Sequence, residues 1–166
     1  MPLLIALAIS IGVLAVVATF LFLGPLAAFG VQIWQAFVAW ACYFHCGGKP
    51  ASARTTIVCM SFGIVVGALS VLLAGQLGSL GSLAAPVAVG IGAAVIVLAA
   101  HIGLLATIPA CVYGFACVAG LILLKSVAPI DAIVPSIVSI AIGAGFGWAS
   151  EALAGMLTRK AAPAAA

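Results

Sequence analysis

The stretch GIVVGALSVLLAG, residues 63–75, has a second version later in the chain, GAGFGWASEALAG at residues 143–155. Aligned at a constant offset of 80, the two segments are identical at six of their thirteen positions. A related pair lies between them, because Trp40-Ala41-Cys42 aligns with Phe115-Ala116-Cys117 at an offset of 75. These matches indicate that one structural unit occurs twice in the chain.

Each unit is predicted to contain three helices, within one membrane domain over residues 1–160. The copies cover about residues 1–80 and 81–160, and a disordered tail follows at 161–166. The offset of 80 also pairs the first span with the fourth, at Ala8/Ala88, Ile11/Ile91 and Gly12/Gly92. An odd number of spans per copy makes the second copy enter the membrane from the opposite face. Folds with such inverted repeats commonly place a solute path between the halves.

The composition is that of an integral membrane protein. Hydrophobic residues make up 67% of the chain and charged residues 4%, with a mean hydropathy of +1.51. Crossing a hydrocarbon core of about 30 Å takes roughly 20 apolar residues in a helix. The sequence therefore predicts an all-α fold of six transmembrane helices, at residues 3–23, 29–46, 56–75, 85–106, 108–124 and 130–157.

The charges predict an orientation. With six crossings, the side that holds both termini also holds Lys49, Arg54, Arg159 and Lys160, whereas the other side holds Lys125 and Asp131. This positive-inside bias places both termini in the cytoplasm. Residues 1–5 contain no basic residue, so we interpret the first segment as a retained span and not a cleaved signal. Nothing resembles a basic, aromatic-rich surface for nucleic acid.

Four glycines in the repeated segments are interpreted as helix-packing positions: Gly63, Gly67, Gly143 and Gly147. Small residues four apart let helix backbones approach closely, which is how helices associate in lipid.

Polar side chains inside a membrane are costly, so each is a candidate for a role in a solute pathway or its gate. The candidates are Gln35, Cys42, His45, His101 and Glu151. Glu151, His45 and His101 are expected near one level on the cytoplasmic side. The alternatives are a structural hydrogen bond or an ion pair for Glu151, and a packing role for His101.

The second span presents two helical stripes. Gln35, Ala39, Cys42 and Cys46 form one stripe of small or polar side chains, opposite an aromatic stripe. The first stripe is suited either to line a narrow path or to pack against neighbouring helices. Cys42, His45 and Cys46 are also weak candidates for a soft metal ion. No metal site or other cofactor is favoured.

Three segments carry a family resemblance: WQAFVAWACYFHCGG (residues 34–48), IPACVYGFACVAG (residues 108–120) and the glycine-rich last span. With them the chain resembles a family of small six-span bacterial inner-membrane proteins, a domain of unknown function. The resemblance runs from the second span to the end of the chain. It implies a bacterial inner membrane and no particular reaction, and it assigns no role to His45 or Glu151.

The leading hypothesis is a channel or facilitator for a small, uncharged solute such as urea, a short amide, ammonia or a dissolved gas. The first alternative is a non-transporting membrane scaffold or accessory subunit, and the second is soft-metal handling. No catalytic set is recognisable, so an enzyme is not expected. The expected partners are the lipid bilayer, the solute and further copies of the chain, as a homo-oligomer of three to six subunits.

Overall fold

The computed structural model describes residues 1–159, and the chain is entirely helical over that range apart from its turns. Short turns, some containing a stretch of 3-10 helix, connect six α-helices. They are α1 (Leu3–Leu23), α2 (Ile33–His45), α3 (Lys49–Gln76), α4 (Ala84–Ala99), α5 (Ile108–Lys125) and α6 (Ile133–Arg159). The tail expected at 161–166 lies outside the described residues.

Within residues 1–159, five segments are long and apolar enough to cross a membrane, where the sequence led us to expect six. They are α1, α3, α4 with the 3-10 stretch before it, α5 and α6. The second helix is the exception. α2 has 13 residues, which gives a length of about 20 Å, short of the roughly 30 Å of a hydrocarbon core. Its expected range, 29–46, is shortened because Gly30 and Gly47 adopt left-handed backbone conformations on either side of it.

Three consecutive residues with left-handed backbone conformations lead from α2 into α3, and the third of them is the first residue of α3. Gly47, Gly48 and Lys49 have φ angles of 100°, 71° and 68°. Glycine adopts this conformation freely, whereas it is uncommon for a residue such as lysine. Pro50 follows in the first turn of α3, where a missing N–H group is harmless. The helix therefore begins at Lys49, and the expected start at residue 56 was wrong.

The fourth helix ends earlier than its hydropathy suggests. α4 stops at Ala99, and residues 100–107 form turns and a short 3-10 stretch before α5 begins. The expected span 85–106 was therefore too long. His101 lies in the turn after the helix and is exposed. The break contains no proline and only one titratable residue, His101, so hydropathy alone does not mark it.

Packing is dominated by α3 and α6, which contact each other at the centre of the bundle. α3 packs mainly against α5 and α4, whereas α6 packs mainly against α2 and α1. Contacts between α1 and α2, and between α4 and α5, are sparse. Each of the two central helices is thus covered by a different pair of neighbours.

Glycines allow the closest helix approaches. A Cβ atom at Gly63 of α3 would overlap the Cys111 carbonyl group of α5, and a Cβ atom at Gly143 of α6 would overlap the Ala36 carbonyl group of α2. Backbone therefore meets backbone at both crossings.

The peripheral helices α1 and α4 are mostly uncovered by the rest of the bundle. They do not present matching faces, because Ala8 is exposed whereas Ala88 is fully buried. Likewise, Gly12 has open space beside it, but Gly92 lies against Ser70. The residues that the sequence pairs at an offset of 80 therefore do not occupy equivalent positions in α1 and α4, and this pairing was wrong.

Candidate functional site

The first polar group inside the bundle, which we call the amide cluster, consists of Gln35, Ser136 and the Cys117 carbonyl group. Gln35 is fully buried, and its Nε2 donates hydrogen bonds to the Cys117 carbonyl oxygen at 2.9 Å and to Ser136 Oγ at 3.1 Å. A carbonyl oxygen only accepts, so the NH₂ group must face Cys117. Gln35 Oε1 is buried and has no hydrogen-bond partner.

The start of α2 is tied to α6 immediately beside this cluster. The Gln32 amide donates to Ser139 Oγ at 2.8 Å, and Ser139 Oγ donates to the Pro135 carbonyl oxygen at 2.7 Å. Ser136 and Ser139 are both fully buried. These bonds fix the backbone at Gln32, one turn of helix before Gln35.

The second polar group, the carboxylate cluster, consists of Glu151, Tyr43 and the Lys49 backbone amide. Glu151 Oε2 accepts a hydrogen bond from the hydroxyl group of fully buried Tyr43 and another, at 2.6 Å, from the Lys49 amide. Gly48 lies directly against the carboxylate, because an added Cβ would be 3.0 Å from Glu151 Oε1. A carboxylate at a helix N-terminus satisfies a free donor and interacts favourably with the helix dipole. Glu151 thus caps α3 from a different helix.

Cys42 and Cys46 lie close together, whereas His45 has its partner on another helix. Cys42 Sγ lies 3.9 Å from Cys46 Sγ and accepts a hydrogen bond from Thr56 Oγ1 at 3.6 Å. His45 is exposed and its Nδ1 lies 2.9 Å from the Tyr113 hydroxyl group of α5. Among the residues that the structure describes, no three His, Cys, Asp or Glu side chains form a group able to hold a metal. The arrangement gives the thiols and the imidazole separate partners.

The five candidate pathway residues do not meet at one place. Gln35 and His45 lie at opposite ends of α2, about 15 Å apart along the helix axis. Glu151 and His45 lie at the same end of the bundle but have different partners. His101 is exposed in the turn that follows α4.

The two stripes of α2 face opposite ways. Trp34 and Phe37 are 37% and 39% exposed, whereas Gln35, Ala39 and Cys42 are buried. The inward stripe faces α3, α5 and α6, and it runs from the amide cluster toward the carboxylate cluster. Buried Thr56 of α3 adds a hydroxyl group beside Cys42.

Trp40 connects α2 to α6 beside this stripe. Its indole Nε1 donates to buried Ser150 Oγ at 3.0 Å. Its ring stacks between Phe37 and Phe146, with centroid separations of 5.8 and 5.5 Å. The indole therefore satisfies its donor while filling the α2–α6 interface.

Sequence reasoning missed the partner residues Tyr43, Ser136 and Tyr113. Tyr43 and Ser136 are fully buried and hold the two polar side chains that were singled out, Glu151 and Gln35. A sequence signal existed for Tyr43, since a tyrosine within an apolar helix needs a partner for its hydroxyl group. The partner could not be named, because it lies 108 residues away.

Apolar helices of spanning length, joined by short turns and packed through glycine, define a helical integral membrane protein. The chain belongs to the DUF1097 family of proteins of unknown function, whose family model matches residues 8–155. This finding confirms the family resemblance and extends it into the first helix. Neither a curated protein nor a solved structure matches the chain.

Proposed function

We propose that the protein is a facilitator for a small, uncharged solute that offers N–H donors, such as urea, a short amide or ammonia. The path follows the inward stripe of α2, between α3, α5 and α6. The observation that carries this proposal is the unpaired, fully buried oxygen of Gln35. A polar group without a partner in an apolar interior costs several kcal/mol, and a passing donor would satisfy it.

An inverted repeat supports a path at this place. The tight glycine contacts of the two halves correspond residue by residue, with an offset of 80 for the glycines and 75 for their partners on the middle helices. The contact of Gly63 with Cys111 corresponds to the contact of Gly143 with Ala36. The contact of Gly67 with Val118 corresponds to the contact of Gly147 with Tyr43. A chance likeness of composition would not reproduce which residue each glycine meets.

Six crossings follow if α2 takes the chain through the membrane despite its length. Gly30, before α2, lies beside Pro135 near the start of α6, and Gly48, after α2, lies beside Glu151. Residues 135 and 151 of α6 are about 24 Å apart along the helix axis. The segment containing α2 therefore covers most of a hydrocarbon core of about 30 Å, sheltered by the longer helices.

With six crossings, both termini lie on the side that carries Lys49 and Arg54. The positive-inside rule then makes that side cytoplasmic, in a bacterial inner membrane. The exposed apolar faces of α1 and α4 contact lipid and, in a homo-oligomer of three to six subunits, a neighbouring subunit. Native mass spectrometry of the purified chain measures that number.

Permeability of proteoliposomes tests the proposal. Vesicles containing the full chain should take up urea faster than empty vesicles, as measured by stopped-flow light scattering. Gln35→Leu, which removes the buried amide, should reduce uptake to the rate of empty vesicles. Gln76→Leu is the matched control, because it removes an exposed amide at the end of α3, and it should behave as the wild type. Urea, acetamide and ammonia permeabilities all equal to those of empty vesicles would refute a facilitator.

A non-transporting accessory subunit is the second candidate, and the backbone contacts at Gly63 and Gly143 favour it. These crossings leave no room for even one methyl group, so the helices cannot close further there, and only separation would open a path. An accessory subunit predicts wild-type vesicles that are no more permeable than empty ones, together with stoichiometric co-purification of a different membrane protein.

A further inference from the structure

A polar cleft lies away from the proposed path, between the first turns of α3 and the turn that joins α4 to α5. Its volume is about 320 Å³, within the range typical of small-molecule sites. The lining residues are Pro50, Ala51, Arg54, Thr55, Val58, Gly103, Leu104 and Thr107.

The charge in this cleft is positive and is not balanced within it. Arg54 is exposed, and neither of the chain's acidic residues, Asp131 and Glu151, lines the cleft. Glu151 is already engaged by Tyr43 and the Lys49 amide. A guanidinium group offers five N–H donors in a planar fork that matches the oxygens of a phosphate group.

Thr107 adds a hydroxyl group on the opposite wall. It precedes α5 but makes no side-chain hydrogen bond that caps that helix. The hydroxyl group is therefore not committed to the helix end and is free to donate to a ligand in the cleft. Val58 and Leu104 complete the lining with apolar surface.

From the length and composition of α3, we infer that the cleft lies at the depth of lipid headgroups. α3 has 28 residues, which is about 42 Å and exceeds a hydrocarbon core of about 30 Å. Its predominantly apolar stretch begins at Ile57, after Arg54 and two threonines. Arg54 therefore lies where α3 leaves the apolar core, and Val58 lies just inside it.

We propose that this cleft binds the phosphate group of an anionic phospholipid. Arg54 and Thr107 donate to the phosphate oxygens, and Val58 and Leu104 contact the glycerol and the first methylene groups. A zwitterionic headgroup is disfavoured because the lining has no carboxylate to receive its ammonium group. The proposal does not depend on whether the protein conducts a solute.

Native mass spectrometry of the delipidated full chain in detergent micelles tests this site, with phosphatidylglycerol and phosphatidylcholine of identical acyl chains as probes. We expect tighter binding of phosphatidylglycerol by the wild type. Arg54→Gln should weaken that binding about tenfold, the ratio that corresponds to about 1.4 kcal/mol. Lys125→Gln, which removes a cation at the opposite end of the bundle, should leave the affinity unchanged. If Arg54→Gln does not fold, Thr107→Val decides, and it should lower the affinity severalfold.

Three results would overturn the proposal. One is equal binding of the two lipids by the wild type. Another is phosphatidylglycerol binding by Arg54→Gln, or by Thr107→Val where that variant decides, at the wild-type level. The third is displacement of the lipid by millimolar inorganic phosphate, but not by chloride of equal ionic strength, which would assign the cleft to free phosphate. Failure of phosphate to displace the lipid supports a lipid site.

Discussion

Replacing Gly63 by alanine tests directly how the bundle is held together. The added Cβ would lie 2.7 Å from the carbonyl carbon of Cys111 and 2.9 Å from the amide nitrogen of Phe115. Non-bonded carbon atoms prefer a separation of about 3.5–4.0 Å. Both obstacles belong to the backbone of α5, so no side-chain rotation relieves the overlap. The Cys111 carbonyl oxygen is closer still, so the two helices must separate by at least about 1 Å.

The size of the effect follows from this displacement. A gap of about 1 Å forfeits up to about half of the dispersion energy between the surfaces that it separates. α3 and α5 form the most extensive helix pair of the bundle, so the loss extends along both helices. Overpacking a close-packed interior costs about 1–3 kcal/mol. Because the obstacle is backbone, we expect Gly63→Ala to lower the free energy of unfolding by about 3 kcal/mol.

Reversible unfolding in mixed micelles with increasing dodecyl sulfate, followed by circular dichroism, measures this loss. Gly75→Ala is the matched control, because Gly75 lies in the same helix with nothing within 4 Å of its added Cβ. Alanine is the better helix former by about 1 kcal/mol, so the control should unfold no earlier than the wild type. Unfolding of both variants at the same dodecyl sulfate fraction would show that the α3–α5 crossing does not determine stability.

Three further predictions use the same unfolding measurement. Gly143→Ala should resemble Gly63→Ala, since its Cβ meets α2 backbone atoms at 2.7 Å; a neutral result would contradict equivalent crossings in the two halves. Glu151→Ala should lower the free energy of unfolding by about 1.5–3 kcal/mol and speed hydrogen exchange at the Lys49 amide. Glu151→Gln keeps an acceptor oxygen, so its loss of stability should be less than half as large. Equal losses for the two variants would refute a capping role. Trp40→Phe removes the indole hydrogen bond to Ser150 and should lower the free energy of unfolding by about 1 kcal/mol. The loss is no larger because the Ser150 hydroxyl group keeps its bond to the Gly147 carbonyl oxygen. An unchanged stability would mean that the indole bond contributes nothing.

The helical elements could be predicted in number and order, but not all of their ends. Hydropathy identifies apolar segments, and it does so equally well for a helix that lipid surrounds and one that protein surrounds. Hydropathy does not mark where the backbone leaves the helix within such a segment, so it missed that α2 is short and that α4 stops at Ala99. It also placed the start of α3 too late, because Pro50 and Arg54 suggest a loop when they in fact occupy the first turns of a helix.

The candidate site was predictable only at the level of single residues. Gln35 and Glu151 stand out because they are polar within apolar helices, and the structure gives both of them buried partners. The partners themselves lie 101 and 108 residues away, so local pattern carries no information about them. The division of α2 into an aromatic stripe and a polar one was predictable, because helical periodicity determines it. Which stripe faces the bundle is known only from the structure, where Gln35 and Cys42 are buried and Trp34 is not.

The order in which the helices are synthesised has a consequence for how this protein matures. α1 and α2 are synthesised before α6, the helix that both of them pack against. Until α6 is made, the short second helix lacks its main packing partner, and its buried glutamine and tyrosine lack Ser136 and Glu151. A chain that stopped before α6 would therefore leave α1 and α2 without the helix that both of them pack against.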